Sequence, residues 1–135
     1  MKLVQIPYDS GTLGANTGCS KAPSELVKTL SKLCEKRGGV VPFEIEEVPV
    51  VSGNVDVTMN NIEACEGDVF VGGDHSVTYG AVKSFKNKHD SFGLIIFDAH
   101  PDLEVSAGSV SHEDYLRSLI DEGIVDPKNV LLVGV

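Results

Sequence analysis

Residues Ser91–Asp102, S-F-G-L-I-I-F-D-A-H-P-D, decide how this chain folds. The apolar run from Phe92 to Phe97, interrupted only by Gly93, reads as a strand buried on both faces, the kind found in parallel sheets. It ends in Asp98, His100 and Asp102. Side chains alternate along an extended chain, so these three point the same way if the extension continues. Pro101 supports this, because it biases His100 toward extended geometry. Two carboxylates and an imidazole would then converge at the C-terminal end of a buried strand, the edge where open parallel sheets bind ligands. Taken singly, an Asp after a strand is commonly a turn former or a helix N-cap, and a His there a hydrogen-bonded loop residue. The spacing i, i+2, i+4 of all three favours a metal site.

C-terminal to this stretch, Leu103–Ser111 is a small-residue loop. Ser111 is a plausible N-cap for a helix opened by His112, Glu113 and Asp114. Leu116, Leu119 and Ile120 give that helix its apolar stripe, Gly123 closes it, and Asn129–Val135 reads as a last buried strand. N-terminal to it, Asp68–Gly72 is a short strand running into Gly73-Asp74-His75-Ser76. A helix follows from His75 to about Asn87, with Val77, Ala81, Val82 and Phe85 facing inward. A lone His at a helix start is usually a capping or packing residue. Gly72 and Gly73 shift the balance, because they permit a close backbone approach and an unusual turn. His89, at the Lys-rich end of the helix, reads as solvated and favoured by the helix dipole.

Further upstream, Asn54–Cys65 has a helical stripe of Val55, Met59, Ile62 and Cys65. The extended segment Val40–Val51, with Pro42, Pro49 and three glutamates, suggests an edge strand. A helix from Pro23 to about Arg37 presents Ala22, Leu26, Leu30, Leu33 and Cys34 on one face and ends at Gly38-Gly39. Leu3–Pro7 is the first strand. The Gly-rich loop Tyr8–Lys21 lacks the pattern of a phosphate loop and is either a surface loop or a substrate contact. This alternation of strands and helices indicates one α/β domain over residues 1–135, with a mostly parallel sheet flanked by helices.

Eleven Lys and Arg against twenty Asp and Glu give a net charge of −9. That argues against nucleic acid or an anionic membrane as partner. No apolar stretch approaches the ~20 residues of a membrane span, and Met1–Pro7 does not read as a signal peptide. Cys19, Cys34 and Cys65 form no C-x-x-C pair and read as free thiols in a reducing cytoplasm.

Two motifs therefore share one edge: G-G-D-H-S supplies His75, and D-A-H-P-D supplies Asp98, His100 and Asp102. Carboxylate and imidazole ligands without thiolates suit Mn²⁺, Zn²⁺ or Fe²⁺ better than Mg²⁺ or Ca²⁺. A bridging carboxylate with a His on either side suits two metals about 3.5–4 Å apart with a hydroxide between them.

At these residues the sequence resembles the ureohydrolase family of arginase, agmatinase and formimidoylglutamase. Gly72-Gly73-Asp74-His75-Ser76 is similar to one family signature and Asp98-Ala99-His100-Pro101-Asp102 to a second. Gly14, Gly18, Pro23 and Leu26 resemble the family's N-terminal region, so the likeness covers nearly the whole chain. It implies hydrolysis of a guanidino-type C–N bond by a bridging hydroxide on a binuclear Mn²⁺ centre. His75 would bind one metal and His100 the other, and Asp98 would bridge them. Asp102 would bind His75's metal and hydrogen-bond the hydroxide. His112 falls where the family often has a proton-shuttling His, though a helix-opening His is an equal explanation. Expected partners are a small guanidino-type substrate and either further copies of the chain or a complementing C-terminal segment.

The resemblance also implies an incomplete chain. Family members are about twice this length, and a third signature of the S-x-D-x-D-x-x-D-P type supplies two further metal-binding aspartates. Asp121 and Asp126 do not reproduce it, so four of six expected ligands are present. The family's late strands insert between the third and fourth, and their absence would part the strand before His75 from the strand before Asp98. The chain is thus expected to be the N-terminal part of such a hydrolase. The alternatives are a non-catalytic half domain with weak metal binding or an assembly role, and a single-zinc deacetylase-like hydrolase.

Overall fold

The computed structural model describes residues 1–14, 18–39, 42–106 and 108–135. Strand β1 (Lys2–Ile6) lies between β2 (Glu44–Glu47) and β3 (Val69–Gly72), parallel to both. Leu3 is opposite Ile45 on one side and Val69 on the other. β4 (Leu94–Phe97) and β5 (Val130–Val133) form a separate parallel pair, with Leu94 opposite Val130 and Phe97 opposite Val133. Four helices connect them: α1 (Ala22–Lys36), α2 (Val55–Ala64), α3 (Val77–Lys86) and α4 (Tyr115–Asp121).

The helix ends follow from their sequence. Pro23 sits in the first turn of α1. At its other end Gly38 takes φ 71°, and the amide of Gly39 donates to the Cys34 carbonyl at 2.9 Å. The Asn54 side chain caps α2 by accepting from the Val57 amide at 3.1 Å. The helix expected from His75 begins at Val77, and residues 75 and 76 form the turn that leads into it. The helix expected from Ser111 begins at Tyr115. Ser111 does not cap it: the Ser111 hydroxyl accepts from the Glu113 amide, and its own amide donates to Asp114, making a turn instead. The segment expected to be extended from Val40 to Val51 is a four-residue edge strand; Val40 and Val41 lie outside the described residues.

Two apolar clusters hold these elements. Val4, Ile6, Tyr8, Met59, Ile62 and Val77 pack β1 against α2 and α3. A Cβ on Gly80 would meet Ile62 at 2.8 Å, so glycine lets α2 and α3 approach closely. Val82, Tyr115, Leu116, Leu119 and Val125 form the second cluster, against Leu94, Ile96, Val130 and Leu132 of the β4–β5 pair. α3 joins the two through Val77 and Val82.

Expectations of burial fail at several points, Phe85 of α3, expected to face inward, among them at 45% exposed. β4 is not buried on both faces: Ile95 is 65% and Phe97 79% exposed, and Leu131 beside them is bare too. Only the face with Leu94 and Ile96 meets a helix. The apolar side of α1 is also only partly covered, with Leu26 and Leu33 exposed. The open face of β4 accompanies a division of the sheet, since β3 and β4 are not hydrogen-bonded to each other. An apolar sheet face left open in this way marks an interaction site or an aggregation hazard.

Candidate metal centre

The site lies where β3 and β4 end. After β3 the chain turns through Gly72 and Gly73 at positions where no side chain fits. A Cβ on Gly73 would sit 2.1 Å from the Tyr8 carbonyl oxygen, and one on Gly72 would sit 2.2 Å from a Val77 methyl. Asp74 is buried and stitches the turn: its carboxylate accepts from the Gly11 and Ser76 amides, both at 2.9 Å, and from the Ser76 hydroxyl. His75 then projects from a fixed backbone, its ring packed on Tyr115 with centroids 4.4 Å apart.

Asp98 follows β4 directly. Its amide donates to the Val133 carbonyl at 3.1 Å, which carries the strand pairing one residue further. Its Oδ1 accepts from the His100 amide at 3.0 Å. That bond, made two residues on, folds the chain into a tight turn. It also holds the Asp98 carboxyl below its ordinary value, burial opposing it and His75 assisting. Asp102 has left-handed backbone, φ 48°, and is buried. Burial raises its carboxyl above the ordinary value, the Asp98 charge adds to this, and His75 opposes it.

The strand extension expected to align Asp98, His100 and Asp102 therefore stops at Phe97. The turn after Asp98 and the left-handed Asp102 bring the two carboxylates together and send His100 outward. The side chain of His100 is 81% exposed, and its Nδ1 is 3.6 Å from Asp98 Oδ1. His75 Nδ1 is 2.9 Å from Asp98 Oδ2 and 2.9 Å from Asp102 Oδ2. These three are the group among the described residues whose ligand atoms could share one cation. His112 does not join them: its recorded polar partners are Gly11 and Glu113.

This arrangement fits a divalent ion better than a proton. Nδ1 has one lone pair or one hydrogen, yet it faces two carboxylate oxygens at equal distance. One hydrogen cannot lie in line with both. A cation bound at about 2.1 Å in octahedral geometry has adjacent ligand atoms about 3 Å apart, close to the observed spacing. Next to the cluster is a cavity of about 370 Å³, lined by Phe70, Gly72, His75, Val77, Phe97 and Asp98, in the gap between β3 and β4.

Two residues that shape the site, Gly11 and Tyr115, are not marked by the sequence patterns. Asp74 and Gly11 fix the turn before His75, and Tyr115 backs its ring. Asp74 stands inside the G-G-D-H-S motif, next to the residue that drew attention. Nothing in the Tyr8–Lys21 loop sets Gly11 apart from Gly14 or Gly18.

Comparison with known proteins bears on the family and the fold. The model of the arginase family matches residues 1–135. The chain is 29% identical over 152 aligned residues to a mitochondrial agmatinase of Gallus gallus, covering 98% of this chain and 44% of that protein. It is 30% identical to a mitochondrial guanidino acid hydrolase of Homo sapiens, covering 98% of this chain and 42% of that one. The chain thus spans less than half the length of these relatives. Among solved structures, an arginase from Bacillus subtilis superimposes with TM-score 0.80 at 23% identity, over 100% of this chain and 55% of that one. A hypothetical agmatinase from Burkholderia thailandensis gives TM-score 0.81 at 22% identity, over 98% and 48%. The parallel strands and flanking helices are therefore an incomplete arginase fold.

Proposed function

The chain belongs to the arginase family, and from that premise we propose that it is part of a manganese-dependent hydrolase of a guanidino-type C–N bond. The observation that carries this reading is the convergence of His75 Nδ1 with Asp98 Oδ2 and Asp102 Oδ2 at the strand ends. The three residues would hold one divalent ion. The two oxygens of Asp98 face different histidines, Oδ2 toward His75 and Oδ1 toward His100. That suits Asp98 as the shared ligand of a metal pair, with a turned His100 on the second ion. Bound divalent cations supply Lewis acidity and lower the pKa of water, making a nucleophile at neutral pH.

The chain's own residues do the rest. Asp102, held by its buried left-handed turn, would bind the same ion as His75 and accept a hydrogen bond from the attacking water. His112 would take up a proton at Nε2 and pass it on.

Charge limits what these residues achieve alone. Asp98 and Asp102 offer two negative charges against the four positive charges of two divalent cations. Further carboxylates, of the kind a D-x-D-x-x-D-P segment brings, would balance them. The polypeptide bearing that segment would enter the gap between β3 and β4 and cover Ile95, Phe97 and Leu131. The thiols Cys34 and Cys65 are free, which suits a reducing compartment such as the cytoplasm, and no helix among the described residues is long and apolar enough to cross a membrane. The test is urea release from guanidino compounds with Mn²⁺ present, by the 135-residue chain with and without a polypeptide carrying the third signature. Turnover is expected only in the combination. Robust turnover by the chain alone, or none in a combination shown to bind, would count against the reading.

A further inference from the structure

We propose that Asp74 is a positioning residue for His112: through Gly11 it holds the His112 ring with its proton on Nδ1 and its lone pair on Nε2. This deepens the reading of His112 as the proton-carrying group and rests on it for its consequence.

The contacts run in series. Asp74 Oδ2 accepts from the Gly11 amide at 2.9 Å, while Oδ1 is held by the Ser76 amide and hydroxyl. Gly11 in turn offers its carbonyl oxygen to His112 twice, to the amide at 3.0 Å and to Nδ1 at 2.8 Å. A carbonyl oxygen only accepts, so the ring nitrogen facing it must bear hydrogen. In the neutral ring the lone pair then falls on Nε2. Among the described residues the carboxylate recorded near that atom, Glu113 Oε1, is 3.7 Å away, beyond hydrogen-bond length. Nε2 is therefore left as an acceptor.

The clamp is tight as well as polar. Asp74 and Gly11 are buried. A Cβ on Gly11 would stand 2.2 Å from Ser76 Oγ and 2.8 Å from Asp74 Oδ1, so the loop can sit this close only with glycine there. Asp74 also adjoins His75 in the chain. The turn that aims the candidate metal ligand thus also sets which nitrogen of His112 can take a proton. A second shell that fixes an imidazole tautomer is a recurrent way of setting a histidine's role.

The tautomer can be read directly, without metal or turnover. Two-bond and three-bond ¹H–¹⁵N correlation spectra of the metal-free 135-residue chain would be recorded at about pH 8.5, well above the unperturbed imidazole value of about 6.5. His112 is assigned by the signals lost in His112→Gln. The expected result is a majority Nδ1–H form in the wild type, which shifts toward the Nε2–H form in Asp74→Asn. A majority Nε2–H form in the wild type, or a folded Asp74→Asn with the wild-type pattern, would overturn the proposal. If Asp74→Asn does not fold, hydrogen exchange in the wild type decides whether the clamp exists. Gly11 and His112 amides slowed at least tenfold relative to exposed amides support it, and a Gly11 amide exchanging freely overturns it. None of these readouts depends on catalysis, so failure of the metallohydrolase reading would be seen separately, as absent urea release.

Discussion

Replacing Gly73 by alanine puts a Cβ 2.1 Å from the Tyr8 carbonyl oxygen and 3.1 Å from the Cys19 backbone. Carbon and carbonyl oxygen ordinarily come no closer than about 3.3 Å, so one side must move by roughly 1.2 Å. Neither gives easily. The Tyr8 carbonyl accepts from the Asp74 amide at 3.1 Å, and Tyr8 itself is buried under β1. Forcing atoms into a packed site of this kind costs about 1–3 kcal/mol. At this chain length each kcal/mol lowers Tm by roughly 3.5 °C, so a fall of roughly 4–11 °C is expected. The same displacement moves His75, two residues on, away from two carboxylate oxygens it meets at 2.9 Å. Disturbing the groups that orient a metal ligand typically costs 10–100-fold in metal affinity, and that is the loss expected for Mn²⁺. Thermal unfolding followed by circular dichroism, and Mn²⁺ titration calorimetry, read the two effects. Gly39→Ala is the control: its Cβ would lie 3.6 Å from the Cys34 carbonyl oxygen, an ordinary contact, and neither quantity should change. A Gly73→Ala protein with wild-type Tm and wild-type Mn²⁺ affinity would refute the reasoning.

Further expectations concern the titrating and buried groups. Asp102→Asn should weaken Mn²⁺ binding, yet stabilise the metal-free chain at neutral pH. The carboxyl of Asp102 is raised, chiefly by burial, so the folded state holds its proton more tightly than the unfolded one. Ionising it costs stability as pH rises from near 3.8 through the raised value. Urea denaturation of both proteins at about pH 3.5 and pH 7 should show the gain at the higher pH only; a loss there would contradict the sign. Asp98 works the other way. Its lowered carboxyl contributes stability above 3.8 that is lost as pH falls through the lowered value, so in the same urea series Asp98→Asn should be less stable than the wild type at neutral pH, by a margin that shrinks toward acid. Tyr115 is fully buried, and its hydroxyl has no hydrogen-bond partner among the described residues. Tyr115→Phe should therefore keep or raise Tm, and a destabilisation above about 1 kcal/mol would reveal a partner. Mn²⁺ affinity should decline as pH drops through the imidazole range near 6.5, because protonated imidazole cannot bind. A flat response between about pH 5 and pH 8 would argue against imidazole ligation.

Much of the architecture was legible because the signals were local. The stripe of Met59 and Ile62 made α2, that of Leu116 and Leu119 made α4, and each apolar run made a strand. His75 could be placed because two glycines and a strand end frame it. The misreadings come from longer-range causes. Phe92–Phe97 has the composition of a strand buried on both faces, yet Phe97 and Ile95 are bare, since no described residue covers that side. The periodicity of Leu26 and Leu33 is likewise real but largely unpartnered. Spacing alone put His100 with Asp98 and Asp102. A backbone hydrogen bond to Asp98 and a positive φ at Asp102 broke that alternation. Gly11 acts through contacts 63 and 101 residues away, which no sequence window contains.

The central claim, that His75, Asp98 and Asp102 hold a divalent cation, is met most directly by titrating Mn²⁺ into the 135-residue chain and following the free ion by electron paramagnetic resonance. The wild type should take up Mn²⁺. Asp98→Ala should lose affinity at least tenfold, as expected when a shared ligand is removed, whereas His112→Ala should bind as the wild type does. Undiminished Mn²⁺ uptake by Asp98→Ala would contradict the assignment of the centre.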